Sequence, residues 1–175
     1  MPEPDVTAVT QQSEPREGTW KLLVVVDDTP ECGNAIRFAA RRARLVGGGV
    51  KLLNIIHPRD FQHWVAVEEV MSEEAHEEAE ALLRSMAVDM KRDHGVEPEL
   101  VVREGNPSGE ILALIEQDPE IRVLVLGAGT GSEGPGPLVS SFSGQLLGSL
   151  PIPVTIVPGH LAMERIDEIT RRRAL

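Results

Sequence analysis

Five short, mostly apolar segments recur along the chain, and they are rich in leucine and β-branched residues. Such segments are typical of strands buried on both faces of a parallel sheet. Aspartate, glycine or proline stands at or just beyond the end of each segment, which marks where the strands stop. The pattern predicts strands at Lys21–Val26, Val50–Ile56, Val96–Arg103, Val123–Leu126 and Val154–Val157.

Between these strands the apolar residues recur at steps of three and four, which predicts amphipathic helices. The predicted helices span Pro30–Val46, Trp64–Gly95 with a potential break near Ser72, Pro107–Gln117 and Leu138–Ser149. Asp28 or Thr29 can cap the first helix, whose arginines Arg37, Arg41 and Arg44 should face outward. The strict alternation of strand and helix predicts an α/β fold with a five-stranded, parallel, doubly wound, Rossmann-like sheet.

The two ends of the chain differ from this central part. Residues 1–19 are polar and show neither a helical nor a strand period, so we expect a disordered tail. The central domain then spans residues 20–158. Residues 159–175 form a C-terminal extension that is either a helix docked on the body or a frayed terminus.

Charge and composition exclude several classes of partner and location. The chain has 175 residues and a formal net charge of -11, which argues against nucleic acid and anionic membrane, because both are polyanions. Cys32 is the single cysteine, and no apolar run approaches the ~18 residues of a membrane span. The N-terminal residues lack the pattern of a secretory signal. We therefore expect a cytoplasmic location.

A glycine- and serine-rich loop follows the fourth predicted strand, at the carboxyl end of the sheet, where α/β proteins place ligands. Its glycines allow backbone amides to approach an anion, and its hydroxyls add donors. The candidate phosphate-binding residues of this loop are Gly127, Gly129, Thr130, Gly131, Ser140 and Ser141. Such a composition favours a phosphate site. However, no lysine or arginine lies between Arg122 and Arg165, and Glu133 adds an anion.

The remaining candidates for chemistry favour binding over turnover. Cys32 lies in the first turn of a helix, where we interpret it as a small buried residue. The five histidines show no paired spacing for a metal, and the serines near residue 140 lack the nucleophile-elbow motif. No catalytic residue and no metal ligand is predicted.

Three stretches resemble the universal stress protein family: VVVDDTPECGNAIRFA, VREGNPSGEILALIEQ, and the segment from VLVLGAGTG to SSFSGQLLGSLPIPVTIV. The resemblance covers about Lys21 to Val157. It implies a three-layer sandwich of the adenine nucleotide alpha hydrolase-like type. It also implies a homodimer formed through the last strand, here Val154, Thr155, Ile156 and Val157, whose edge would otherwise be open.

The resemblance further implies a nucleotide site, since some members of that family bind ATP. Their pattern is Gly, two residues, Gly, nine residues, then Gly and Ser or Thr. Laid on this chain without gaps, it matches Gly127 and Ser141 but places Thr130 and Ser140 where glycines are expected. A side chain there weakens binding if the loop needs positive φ or close phosphate approach. Asp27 and Ile55 correspond to the residues that contact the nucleotide.

Three functions remain open from the sequence. The first is a homodimeric, stress-response binding or regulatory module without a catalytic set. The second is an ATP-binding switch with slow, Mg-dependent hydrolysis that uses Asp27, Ile55 and the loop from Gly127 to Ser141. The third is an unrelated flavodoxin-like or nucleotide-dependent enzyme on the same topology.

Overall fold

The computed structural model describes residues 20–57 and 65–171. The tail predicted over residues 1–19, the helix start predicted at Trp64 and residues 172–175 lie outside this range. The strands are β1 (Lys21–Val25), β2 (Gly49–Ile56), β3 (Glu99–Glu104), β4 (Ile121–Ala128) and β5 (Val154–Pro158). The helices are α1 (Pro30–Val46), α2 (Val65–His94), α3 (Pro107–Gln117), α4 (Pro137–Ser143) and α5 (Met163–Ile169), with a short 3-10 turn at Leu147–Ser149.

The sheet has five strands in the order β3-β2-β1-β4-β5, and every neighbouring pair is parallel. The predicted α/β fold is therefore confirmed. From β1 the chain winds outward through β2 to β3, and it then returns beside β1 to form β4. This return makes the boundary between β1 and β4 the topological switch point of the sheet.

Two apolar clusters fill the space on the two faces of the sheet. One contains the buried faces of α1 and α2, including Ala39, Leu83 and Met90. The other contains α3 and α4, with Ile111 and Phe142 both fully buried. Alternate residues of β1 point into opposite clusters, which explains why that strand is apolar from Leu22 to Val25.

The predicted helix α2 is continuous through Ser72 and ends before Gly95, whose positive φ of 67° terminates it. By contrast, the helix predicted over Leu138–Ser149 is wrong in length, because α4 stops at Ser143. Three serine hydroxyls in α4 donate to carbonyls four residues earlier, and Gly144 follows. Serine and glycine both disfavour helix continuation, which accounts for the short helix.

Arg37 and Arg41 were predicted to face outward, but in the structure α5 packs against them. The guanidinium of Arg37 donates to both carboxylate oxygens of Asp167 at 2.8 and 2.7 Å, and Arg41 donates to Thr170 at 2.7 Å. The hydrogen bonds from Arg37 raise its own pKa and lower the pKa of Asp167. Of the two alternatives for the C-terminal extension, the structure therefore shows the docked helix over residues 163–169.

A buried ion network lies at the amino ends of the strands, opposite the glycine loop. Lys21 contacts Glu99 at 2.7 Å and Glu120 at 2.6 Å, while Lys51 contacts Glu99 at 3.0 Å and also pairs with Asp118. Burial alone would raise the pKa of Asp118, but the hydrogen bonds from Lys51 and the Glu120 amide bring it below the ordinary value. Both lysines are over 90% buried, so they depend on these carboxylates.

Candidate nucleotide-binding cleft

A cleft of about 1300 Å³ opens at the carboxyl ends of the strands. It lies at the switch point, where residues after β1 and the loop after β4 diverge. The ends of β2, the start of α3 and one face of α2 complete its walls. A volume of this size accommodates a nucleotide or a similar small molecule.

The turn between β1 and α1 presents Asp27 at the cleft. One oxygen of the Asp27 carboxylate accepts a hydrogen bond from the Thr29 amide at 3.2 Å and another from the Thr29 hydroxyl. Both of these hydrogen bonds use the same oxygen, and Asp27 as a residue is exposed and lines the cleft. Thr29 is the N-cap of α1, but its side chain makes no capping hydrogen bond, so the predicted side-chain cap by Asp28 or Thr29 does not form. Asp27 thus shapes the turn and still offers an acceptor.

The end of β2 contributes Asn54 and Ile55. Asn54 donates to the carbonyl of Val26 at 2.9 Å and so fixes the end of β1 against β2, a role that the sequence did not reveal. Ile55 is half-buried and lines the cleft, where it offers an apolar surface to a flat ligand. His57 lines the same wall and is exposed.

Gly127 and Gly129 are needed for close packing of the loop against α1. A β-carbon at Gly127 would lie 2.8 Å from the carbonyl oxygen of Glu31, and one at Gly129 would lie 3.0 Å from the carbonyl oxygen of Gly134. Positive φ occurs instead at Gly134 (84°) and Gly136 (95°). Thr130, like every described non-glycine residue, lacks a positive φ, so its side chain causes no backbone strain.

The cleft brings together Asp27, Ile55, Gly127, Ser140 and Ser141 from the predicted site. Gly129, Thr130 and Gly131 lie in the same loop but do not line the cleft. Within that loop, the Gly129 amide donates to Pro135 at 3.3 Å, and the Gly134 amide donates to Gly131 at 3.2 Å. The loop therefore closes on itself and uses these amides internally.

The hydroxyls of Ser140 and Ser141 are also engaged within the protein. They donate to the carbonyls of Gly136 and Pro137, each at 2.9 Å. Each hydroxyl proton is thereby committed, while the oxygen lone pairs remain available. In this arrangement the two serines act as acceptors toward a ligand and not as donors.

Carboxylates dominate the charge of the cleft. Five line it, namely Asp27, Asp28, Glu31, Glu78 and Glu133, whereas no lysine or arginine of the described residues does so. Glu78 is an exposed residue of α2. Among the residues described, the carboxylates do not gather into a cluster suited to a metal ion.

Cys32 also lines the cleft, as a buried residue in the first turn of α1. It is 3% exposed, and burial raises the pKa of its thiol to about 11. The interpretation of Cys32 as a small buried residue is confirmed, and a protonated thiol at this pKa is a poor nucleophile at neutral pH.

The predicted dimer strand, β5, forms one edge of the sheet and pairs with β4. Val157 is 3% exposed and belongs to the core, and Val154 and Thr155 are half-buried. Ile156 is 37% exposed, so it presents an apolar side chain to the outside. Of the four predicted interface residues, Ile156 is the one that the rest of the chain covers least.

The fold and the cleft together define a three-layer α/β domain with a nucleotide-sized site at its switch point. A sequence model of the Universal stress protein family matches residues 20–158. The chain belongs to the universal stress protein family, as its three sequence stretches indicated. No curated protein matches the chain.

Solved structures of that family share the fold. Universal stress protein UspA from Lactobacillus plantarum is 22% identical with a TM-score of 0.63, and the match covers 80% of this chain and 98% of that one. An Archaeoglobus fulgidus universal stress protein in complex with dAMP is 20% identical (TM-score 0.55; 79% and 97% covered). An Arabidopsis thaliana family protein with AMP bound is also 20% identical (TM-score 0.55; 79% and 91% covered). As for membranes, the helices that the structure describes include none with the length and apolar character of a spanning segment.

Proposed function

We propose that the chain is a cytoplasmic stress-response module that binds an adenine nucleotide in the cleft and acts by binding, without turnover. The observation that carries this proposal is the 1300 Å³ cleft at the switch point, with Asp27 and Ile55 on its walls. The relatives with AMP and dAMP bound give further support. The cytoplasmic assignment rests on the single cysteine of the chain.

Two side chains supply the recognition in this proposal. The carboxylate oxygen of Asp27 that Thr29 does not use accepts hydrogen bonds from the ribose hydroxyls, while the other oxygen keeps the turn in place through Thr29. Ile55 packs against the face of the base. A hydrogen bond to a charged acceptor contributes about 1.5 to 3 kcal/mol, so losing it weakens binding by about 10- to 150-fold.

Calorimetric titration with AMP tests this function. We expect saturable binding to the natural chain and clearly weaker binding to Asp27→Ala, since the ribose loses its acceptor. Asp89→Ala is the matched control, because Asp89 is an exposed aspartate of α2 that does not line the cleft. No heat of binding at millimolar AMP, or equal effects of the two variants, would contradict the proposal.

We propose further that two copies associate through β5. Support comes from its edge position and from the exposed side chain of Ile156, since an unpaired apolar edge is ordinarily covered. Light scattering of the purified protein should give the mass of a dimer, and Ile156→Lys should give a monomer. Val88→Lys replaces an apolar residue that is 64% exposed on α2 and should leave the dimer intact. A monomeric natural chain at micromolar concentration would remove this part of the proposal.

The ATP-binding switch with slow hydrolysis is the second candidate, because Ser140 and Ser141 reach the cleft with free lone pairs that suit a hydrated Mg²⁺. Titration with Mg-ATP, followed by measurement of phosphate release, separates it from the first. Binding together with release of phosphate above the spontaneous rate would favour the switch. Binding without release would favour the module.

A further inference from the structure

The charges in the cleft bear on how many phosphates its ligand carries. Glu133 lies in the loop after β4, Glu31 lies in the first turn of α1, and Glu78 lines the same cleft from α2. With Asp27 and Asp28 these carboxylates line the cleft, and no described lysine or arginine on its walls offsets them. A polyphosphate entering this cleft meets charges of its own sign.

Several groups of the loop and of α4 that could donate to a phosphate are already engaged within the protein. The amides of Gly129 and Gly134 already donate to carbonyls of their own loop. The hydroxyls of Ser140 and Ser141 donate to carbonyls of Gly136 and Pro137. A phosphate would have to break these hydrogen bonds before it could use the same groups.

We propose that the cleft selects adenine compounds of low phosphate charge, taking adenosine and AMP in preference to ATP unless a divalent cation accompanies the phosphates. This inference rests on the proposed function, since it concerns the same cleft. In the proposed function the base packs on Ile55 and the ribose donates to Asp27, and neither contact requires a phosphate. Each added phosphate contributes repulsion and finds no fixed cation among the described residues.

The sign of the salt dependence distinguishes repulsion from attraction. Charges are screened over about 10 Å at 0.1 M salt and over about 3 Å at 1 M. Added salt should therefore tighten ATP binding to this cleft, whereas a site with arginine or lysine contacts to phosphate would bind ATP more weakly. Adenosine is uncharged, so its affinity should hardly change.

The experiment compares adenosine, AMP and ATP by calorimetry in EDTA, at low and at high potassium chloride, and then ATP with excess Mg²⁺. We expect the affinity to fall from adenosine to ATP by about tenfold or more, because several unit-charge repulsions add. Glu133→Gln and Glu78→Gln should each tighten ATP about two- to fivefold and leave adenosine unchanged. Glu77→Gln is the matched control, since Glu77 is the exposed neighbour of Glu78 on α2 that does not line the cleft.

The outcomes separate this inference from the proposed function. Binding of adenosine and AMP with ATP tighter in EDTA, or weakened by salt, overturns the inference and leaves the function standing. Equal effects of the Glu78 and Glu77 variants also overturn it, because net charge alone would then explain the change. No binding by any of the three compounds overturns both.

Discussion

The substitution Asp118→Asn tests whether the buried ion network stabilises the fold. Asp118 accepts hydrogen bonds from Lys51 through one oxygen and from the Glu120 amide, at 3.0 Å, through the other. Asparagine keeps the volume and the second acceptor, but it removes the negative charge beside Lys51 and, at 3.4 Å, beside Lys21. The substitution therefore isolates the charge from the turn that follows α3.

The magnitude follows from what remains around Lys51. Removing one partner of a buried ion pair costs about 3 to 5 kcal/mol when the other charge is left uncompensated. Here Glu99 still lies 3.0 Å from Lys51, and its side chain is 51% exposed and therefore a weaker partner. We expect Asp118→Asn to lower the free energy of unfolding by about 2 kcal/mol. This loss is smaller than that for an uncompensated charge, because Glu99 still partly neutralises Lys51.

Urea unfolding followed by circular dichroism measures this change. With an unchanged slope, a loss of about 2 kcal/mol lowers the midpoint by about 1 M. Asp93→Asn is the control, because Asp93 forms its ion pair with Arg92 on the exposed surface of α2. A surface pair of this kind contributes little to stability. If both variants shifted the midpoint equally, the network would have no special role.

Three further predictions follow from particular contacts. The ion pairs hold the pKa of Asp118 below its ordinary value. The stability that Asp118 contributes is therefore complete above the unfolded-state pKa of about 4 and is lost as the pH falls through the lower pKa of the folded state. In Asp118→Asn the urea midpoint should depend less on pH in the acid range. Asp167→Asn should speed amide exchange in α5, measured by mass spectrometry, and leave the exchange of β1 unchanged, because it frees Arg37 from its carboxylate. Gly127→Ala should destabilise the chain by about 1 to 3 kcal/mol, since a β-carbon there meets a carbonyl at 2.8 Å. Gly131→Ala, with no atom within 4 Å, should not, and equal melting temperatures of the two variants would contradict this account of the loop.

The strands and most helices could be predicted because each is encoded locally. The run KLLVVV is typical of a buried strand. Pro107 suits the first position of a helix, and in the structure the Asn106 side chain before it accepts a hydrogen bond from the Gly109 amide at 3.1 Å. Contacts between distant residues could not be predicted in this way. Lys21 and Asp118 are 97 positions apart, and Arg37 meets Asp167 across 130 positions, so neither pair leaves a local signal.

The residues of the cleft likewise include some that could be predicted from the sequence and some that could not. Gly127 was identifiable because it ends a predicted strand, where parallel sheets place ligands. Asp27 and Ile55 were identifiable through the resemblance to the universal stress protein family. The conformation of the loop was harder to predict. Its positive-φ glycines are Gly134 and Gly136, whereas the ungapped match to the family pattern pointed to Thr130. Glu78 was missed because it looks like every other glutamate of α2, and only the packing of that helix against the sheet turns it toward the cleft.

The most direct test of the central claim is to denature the purified protein and identify any released nucleotide by ion-exchange chromatography with mass detection. If the cleft binds adenine compounds of low phosphate charge, AMP or adenosine should be released or, if the site is vacant after purification, should raise the melting temperature when added. No released adenine compound, together with a melting temperature that adenosine, AMP and Mg-ATP all leave unchanged at millimolar concentration, would contradict it.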